Sequence, residues 1–190
     1  MSIPLVVLAT LLQPDYYDPP AFTSAPIDIE RLIFLFLAGG IAATIYPAMS
    51  RQYFLPISNG RNMWPERVFV PLGIITIILL PPVLFHWSAM HALVLGEVVG
   101  VLLVIWIGRD LRNIMLGSAL LSGLGYFLLL KLWSLLFPDV LELWNPEAFW
   151  GIHVLNVPLG ELVLALLFGA LWGPLVALIF HRHLTRQTQP

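Results

Sequence analysis

The sequence contains no cysteine, which removes disulfides, thiol nucleophiles and cysteine metal sites together. Charge is nearly as scarce, since Asp, Glu, Lys and Arg make up only 11% of the 190 residues. The formal net charge of −2 leaves no basic footprint for a nucleic acid. There is no GxGxxG after a strand, no P-loop and no HExxH helix, so neither a bound dinucleotide nor a nucleotide-driven mechanism is supported and no cofactor is evident.

What fills the chain instead is apolar. Hydrophobic residues make up 59% of it and the mean hydropathy is +0.89, outside the range of soluble domains, so we expect an all-α integral membrane protein. A chain of this length has room for five or six helices of about 20 residues and no separate soluble domain. We expect a single membrane domain over 1–190: an extracytoplasmic or interfacial segment at 1–27, a helical bundle at 28–181 and a cytoplasmic tail at 182–190. Backbone groups in lipid must be satisfied within their own segment, so the long apolar runs read as about five transmembrane helices, at 28–49, 68–85, 89–108, 113–137 and 158–180. The run at 3–12 is too short to span and lacks the features of a secretory signal, so it reads as re-entrant or interfacial.

If the five spans alternate, Arg51, Arg61, Arg67, Arg109, Arg112, Arg182 and Arg186 all fall on one side. The positive-inside rule makes that side cytoplasmic, with the N-terminus outside, in a cell inner or plasma membrane. The other side collects Asp15, Asp18, Asp28, Glu30, Asp139, Glu142, Glu147 and Glu161, with Arg31 and Lys131 the basic residues near it. Tyr16, Tyr17, Trp87, Trp133, Trp144 and Trp150 then lie at the outer interface, and Tyr53, Trp64 and Trp106 near the inner one.

Two carboxylates stand at matching places. Glu30 and Glu161 each follow a proline and open an apolar helix, where free N–H groups and the helix dipole favour an anion. Aligning them also sets Ala38-Gly39-Gly40 beside Gly169-Ala170, which reads either as a weak internal duplication of one acidic helix entrance or as chance similarity between two Leu-rich helices. Such carboxyls serve helix-end electrostatics; brought together, they would also supply an acid beside a base. Glu97, in Gly96-Glu97-Val98-Val99-Gly100, lies halfway along the third span, where an unpaired charge costs roughly 2.5–3.5 kcal/mol. It must be protonated, paired across the close helix contact that Gly96 and Gly100 permit, or turned into an internal cavity. Lys131 reads as snorkelling to the surface or pairing with an acid, and His86, His91 and His153 as interfacial groups or proton donors. On a helix, His181 and His183 would point apart, which argues against a metal site. Pro47, Pro71, Pro81, Pro82 and Pro174 are expected to kink or break their helices and open room inside the bundle.

These residues carry a family resemblance. Asp15-Tyr16-Tyr17-Asp18-Pro19-Pro20, followed by Asp28-Ile29-Glu30-Arg31-Leu32-Ile33-Phe34 and Ala38-Gly39-Gly40-Ile41-Ala42-Ala43, resembles the lycopene cyclase domain proteins, small integral membrane proteins of the heterodimeric or duplicated type. A second copy, from Trp150-Gly151-Ile152-His153 through Val157-Pro158-Leu159-Gly160-Glu161-Leu162 to Phe168-Gly169-Ala170-Leu171-Trp172, is similar to the acidic helix of that family. Gly160 stands where the family usually carries the first glutamate of a pair. Tyr46-Pro47 and Val176-Ala177 stand where a Tyr-Glu type of helix ending is expected.

The resemblance implies redox-neutral cyclisation of linear carotenoid end groups, an intramolecular lyase or isomerase reaction. A carboxylic acid protonates a double bond, the ring closes through a carbocation, and a base removes a proton. Glu161 is then the acid or base, Glu30 its partner and Glu97 a third candidate. Trp172, Phe34 and Phe168 are candidates for substrate binding and cation stabilisation. The implied partners are membrane lipid and a carotenoid or other long apolar ligand, with room for a second membrane subunit. The missing acids favour the alternative of a non-catalytic, pigment-binding or assembly subunit of a larger membrane complex. A small transporter is a weaker third reading, because Glu97 and Lys131 form no evident relay.

Overall fold

A computed structural model describes residues 29–56, 64–86, 88–108, 111–139, 150–180 and 182–186. The described residues form five long helices: α1 (Ile29–Met49), α2 (Trp64–Phe85), α3 (Ala89–Ile107), α4 (Arg112–Leu136) and α5 (Leu159–Ile179). All five are long and apolar enough to cross a membrane. The 21 residues of α1 rise about 31 Å, which matches the bilayer hydrocarbon thickness. The expected spans hold to within a residue or so, except that α2 already starts at Trp64. The fold is that of an all-α multi-pass membrane protein.

Apolar surface points outward as well as inward. Phe36 is 69%, Leu135 77% and Trp106 80% exposed, which water would punish and lipid chains do not. With no difference in polarity to drive burial, close approach of small residues sets the packing. A Cβ on Gly96 would overlap the Ile78 side chain of α2. One on Gly100 would lie 2.9 Å from Leu171 of α5 and 3.0 Å from Ile74 of α2. The glycine face of α3 is therefore a helix contact, as the spacing implied.

Helix α5 is the hub, packing against each of the other four, while α2 pairs with α3 and α1 with α4. Two buried clusters mark the ends of the bundle. One gathers Val70, Val104, Ile114, Leu171, Leu175 and Leu178. The other gathers Met90, Leu130 and Val157 at the heads of α3 and α5 and the tail of α4.

Short strands appear where none was expected. The segment β1 (Gln52–Pro56), after α1, pairs antiparallel with β4 (Arg182–Arg186), after α5, in the register Gln52 opposite Arg186 and Pro56 opposite Arg182. The backbone at 182–186 is thus an extended ribbon, and His183 sits on a strand, so the helical-spacing argument does not apply to it. The pairing also fixes the C-terminal ends of α1 and α5 at one end of the bundle, so these helices run the same way. At the opposite end β2 (His153–Val154) and β3 (Val157–Pro158) form a hairpin that feeds α5.

The prolines do not break the helices. Pro47 lies inside α1, Pro71, Pro81 and Pro82 inside α2, and Pro174 inside α5. Lipid offers freed backbone groups no alternative partner, so the chain stays helical through them.

Candidate functional site

Helices α1, α3, α4 and α5 leave a cleft of about 640 Å³ between them. On α1 its wall runs from Phe34 to Ile45, about 16 Å of helix rise, so the cavity is elongated along the bundle. Phe34, Leu37 and Ile41 on its rim are at least half exposed, which opens the cleft sideways to lipid. None of the five prolines within the helices lines it; the room arises where α3 leans on α2 and α5 while α1 leans on α4 and α5.

Among the described residues the walls are apolar except for Glu97, Ser122, Tyr126 and Glu161. Glu97, on the third turn of α3, is 4% exposed. Its Oε2 has no hydrogen-bond partner among the described residues, and neither has the buried Oγ of Ser122. The interhelical bond allowed for Glu97 is therefore not made by that oxygen, and the side chain lines the cavity instead. Buried polar atoms in such a position are ordinarily satisfied by water or a ligand.

Glu161 stands in the first turn of α5 and is 7% exposed. The helix start that carries it is fixed from outside. Pro158 is the N-cap residue, and the N–H of Leu159 donates to the Ile152 carbonyl at 2.8 Å. Lys131 Nζ donates to the Leu155 carbonyl at the hairpin turn, also at 2.8 Å, so Lys131 is bound to backbone at the bundle's end. The Tyr126 hydroxyl of α4 donates to Glu161 Oε2 at 2.6 Å, the short length of a bond to an ionisable acceptor.

Of the residues singled out from sequence, Glu97, Glu161, Phe34 and Phe168 all line this cleft. Trp172 does not; it stacks on Phe168 with ring centroids 5.3 Å apart and planes 13° from parallel. Its indole lies against Gly39 of α1, where a Cβ would come within 2.6 Å of the ring nitrogen. Trp172 therefore backs the wall that Phe168 presents. Glu30 belongs to the first turn of α1, but its side chain lies outside the described residues. Sequence reasoning missed Tyr126. Its signal is depth: ten residues before the end of α4, a tyrosine is too far from the interface for the aromatic belt, and a buried hydroxyl calls for a partner.

The geometry defines a class: a polytopic helical membrane protein with carboxyls on the walls of an apolar cleft open to lipid. Residues 88–180 match the family model described as lycopene cyclase, and over that stretch the chain is similar to that family. The match takes in α3, α4 and α5, with Glu97, Tyr126 and Glu161. It leaves outside it the first of the two copies on which the resemblance was read. No curated protein and no solved structure matches the chain.

Proposed function

We propose that the cleft receives the end of a linear carotenoid and cyclises it by proton transfer between carboxyl groups. The observation that carries this reading is the Oε2 of Glu97, without a partner among the described residues, in an apolar cavity whose wall also holds Glu161. A polyene dissolved in the bilayer would enter sideways past Phe34, Leu37 and Ile41. Glu97 in its neutral form donates a proton to the terminal double bond, leaving a tertiary cation on the adjacent carbon. The neighbouring double bond attacks that cation, closing the ring and moving the positive charge onto a ring carbon. Glu161 then takes a proton from a carbon next to it, and a ring double bond forms. One proton enters and one leaves, so substrate and product are isomers. The faces of Phe34, Phe168 and Tyr126 are suited to shielding the cation. Glu30, at the head of α1, is a further proposed partner of Glu161.

The arginine distribution supports an inner-membrane orientation with the β1–β4 ribbon on the cytoplasmic side and the hairpin before α5 outside. A second membrane subunit fits the reading, because the rim of the cleft is unclosed. The alternative, a pigment-binding subunit without catalysis, is favoured by Gly160, which leaves a single carboxyl at the head of α5.

The test is expression in cells that accumulate lycopene, with and without a candidate partner chain, followed by chromatography of the pigments. Cyclised product from the wild type, reduced by about 10²–10⁴ in Glu161→Gln and in Glu97→Gln, is the expected result. Linear lycopene in every culture, with the protein present in the membrane, would sink the cyclase reading and leave pigment binding.

A further inference from the structure

Proton transfer in an apolar cleft requires more than the presence of a base, because a carbocation offers several protons to it. The ring cation formed above has hydrogens on three neighbours of the charged carbon: the ring carbon bearing the polyene chain, the ring methylene, and the methyl group. Loss from the first gives a double bond conjugated with the chain. Loss from the second gives an isolated ring double bond, and loss from the third an exocyclic one. In each case a C–H bond breaks, its electron pair becomes the new C=C bond and the proton goes to the carboxylate. The three sites are close neighbours, so a carboxylate free to swing would sample all of them.

Glu161 is held against swinging. Tyr126 donates to its Oε2 at 2.6 Å, and both side chains line the cleft. The tyrosine is itself fixed, its ring packed on the buried cluster of Met90, Leu130 and Val157. The backbone of Glu161 is set by the hairpin through the Leu159–Ile152 bond. Carboxylate and phenol therefore form one unit with a single placement relative to the cavity wall.

We propose that Tyr126 is a positioning residue that selects which proton Glu161 removes, and so decides where the double bond of the ring product lies. The inference rests on the cyclase reading and goes beyond it by assigning regiochemistry to one hydrogen bond. Tyr126 does not give up its proton in the step. Its hydroxyl steers the carboxylate, and geometric restraint of this kind separates reaction channels that differ little in distance.

The experiment measures the ratio of the three ring isomers formed from lycopene by membranes carrying the wild type, Tyr126→Phe, Glu161→Asp or both changes. The wild type gives one predominant isomer. Tyr126→Phe keeps the ring and its packing, removes the steering bond and lowers that isomer ratio by about tenfold, with a smaller loss in total cyclised product. Glu161→Asp withdraws the carboxylate from the phenol by one methylene and scrambles the products in the same direction. The double variant is no worse than the poorer single one, since both act on one contact. If Tyr126→Phe does not accumulate in the membrane, Glu161→Asp carries the test by itself. Variants that lose rate but return the wild-type ratio overturn the inference while leaving the cyclase reading intact, and so does a wild type that already produces a mixture. A wild type that leaves lycopene linear overturns the cyclase reading, and this inference with it.

Discussion

The Lys131 ammonium reaches across from α4 to the Leu155 carbonyl, 2.8 Å away, and ties the tail of one helix to the turn that delivers the next. This contact sits at the end of the bundle where Glu161 begins α5, so a basic residue that looks like a membrane anchor also places a carboxyl. Lys131→Met keeps the aliphatic stem and removes the donor. Because the bond is exposed, its loss is expected to cost only about 1 kcal/mol. Limited proteolysis in detergent should show faster cleavage at 150–156 in the variant. Equal cleavage rates would show that the turn holds without the lysine.

That turn carries strain which a substitution can release. Leu155 and Asn156 have φ of 51° and 67°, and the two-residue connection between β2 and β3 thus has the positive φ at both central positions that type I′ turns require. Asparagine tolerates this region; leucine, whose Cβ crowds the following carbonyl, does not. Leu155→Asn is expected to raise the stability of the detergent-solubilised protein by about 1 kcal/mol. The main chain that Lys131 binds is unchanged, so the midpoint of thermal unfolding should rise, and an unchanged or lower midpoint would contradict the strain.

Helices α4 and α5 meet at Gly169, where an added Cβ would lie 2.5 Å from the Ser118 carbonyl oxygen and 2.6 Å from the Ser122 Cβ. A backbone oxygen has little room to retreat, so Gly169→Ala must push the helices apart, at about 1–3 kcal/mol for overpacking. Among the described residues nothing lies within 4 Å of where an added Cβ on Gly40 would sit, and Gly40→Ala should instead stabilise α1 by about 1 kcal/mol. Thermal unfolding of the two variants side by side checks both signs. Equal effects would mean that small-residue packing does not set the α4–α5 distance.

How much of this was legible beforehand follows from the range of each interaction. The five spans were readable because lipid forces every backbone group to be satisfied locally, so a long apolar run leaves little alternative to a helix. Glu97 was readable for the same reason, since a mid-span carboxyl demands an explanation. The β1–β4 ribbon was not, because Gln52–Pro56 and Arg182–Arg186 pair from distant parts of the sequence and neither stretch alternates apolar and polar residues strongly enough to stand out. Tyr126 was hidden among the apolar residues of α4; its bond to Glu161 joins residues 35 apart in sequence. The prolines were read for their effect on an isolated helix, but breaking a helix in lipid has no compensation, so the helices run through them. The cleft depends on how four helices lean, which no single segment encodes.

In the proposed reading, Glu97 sets function against stability. Its carboxyl is buried and its Oε2 has no partner among the described residues; a buried polar group without a partner costs about 1–3 kcal/mol. Methionine is close to glutamate in length, is flexible enough to fill the same space, and has no such requirement. Glu97→Met is therefore expected to unfold at a higher temperature than the wild type in the same detergent while forming no cyclised pigment in lycopene-accumulating cells. Glu97→Gln, which keeps the unmet polar demand, should lose the activity without the gain in stability. The contrast between the two variants separates the carboxyl's chemical role from its packing. A destabilised Glu97→Met would mean instead that Glu97 holds the bundle together through its other carboxyl oxygen, and that its place in the cleft is structural.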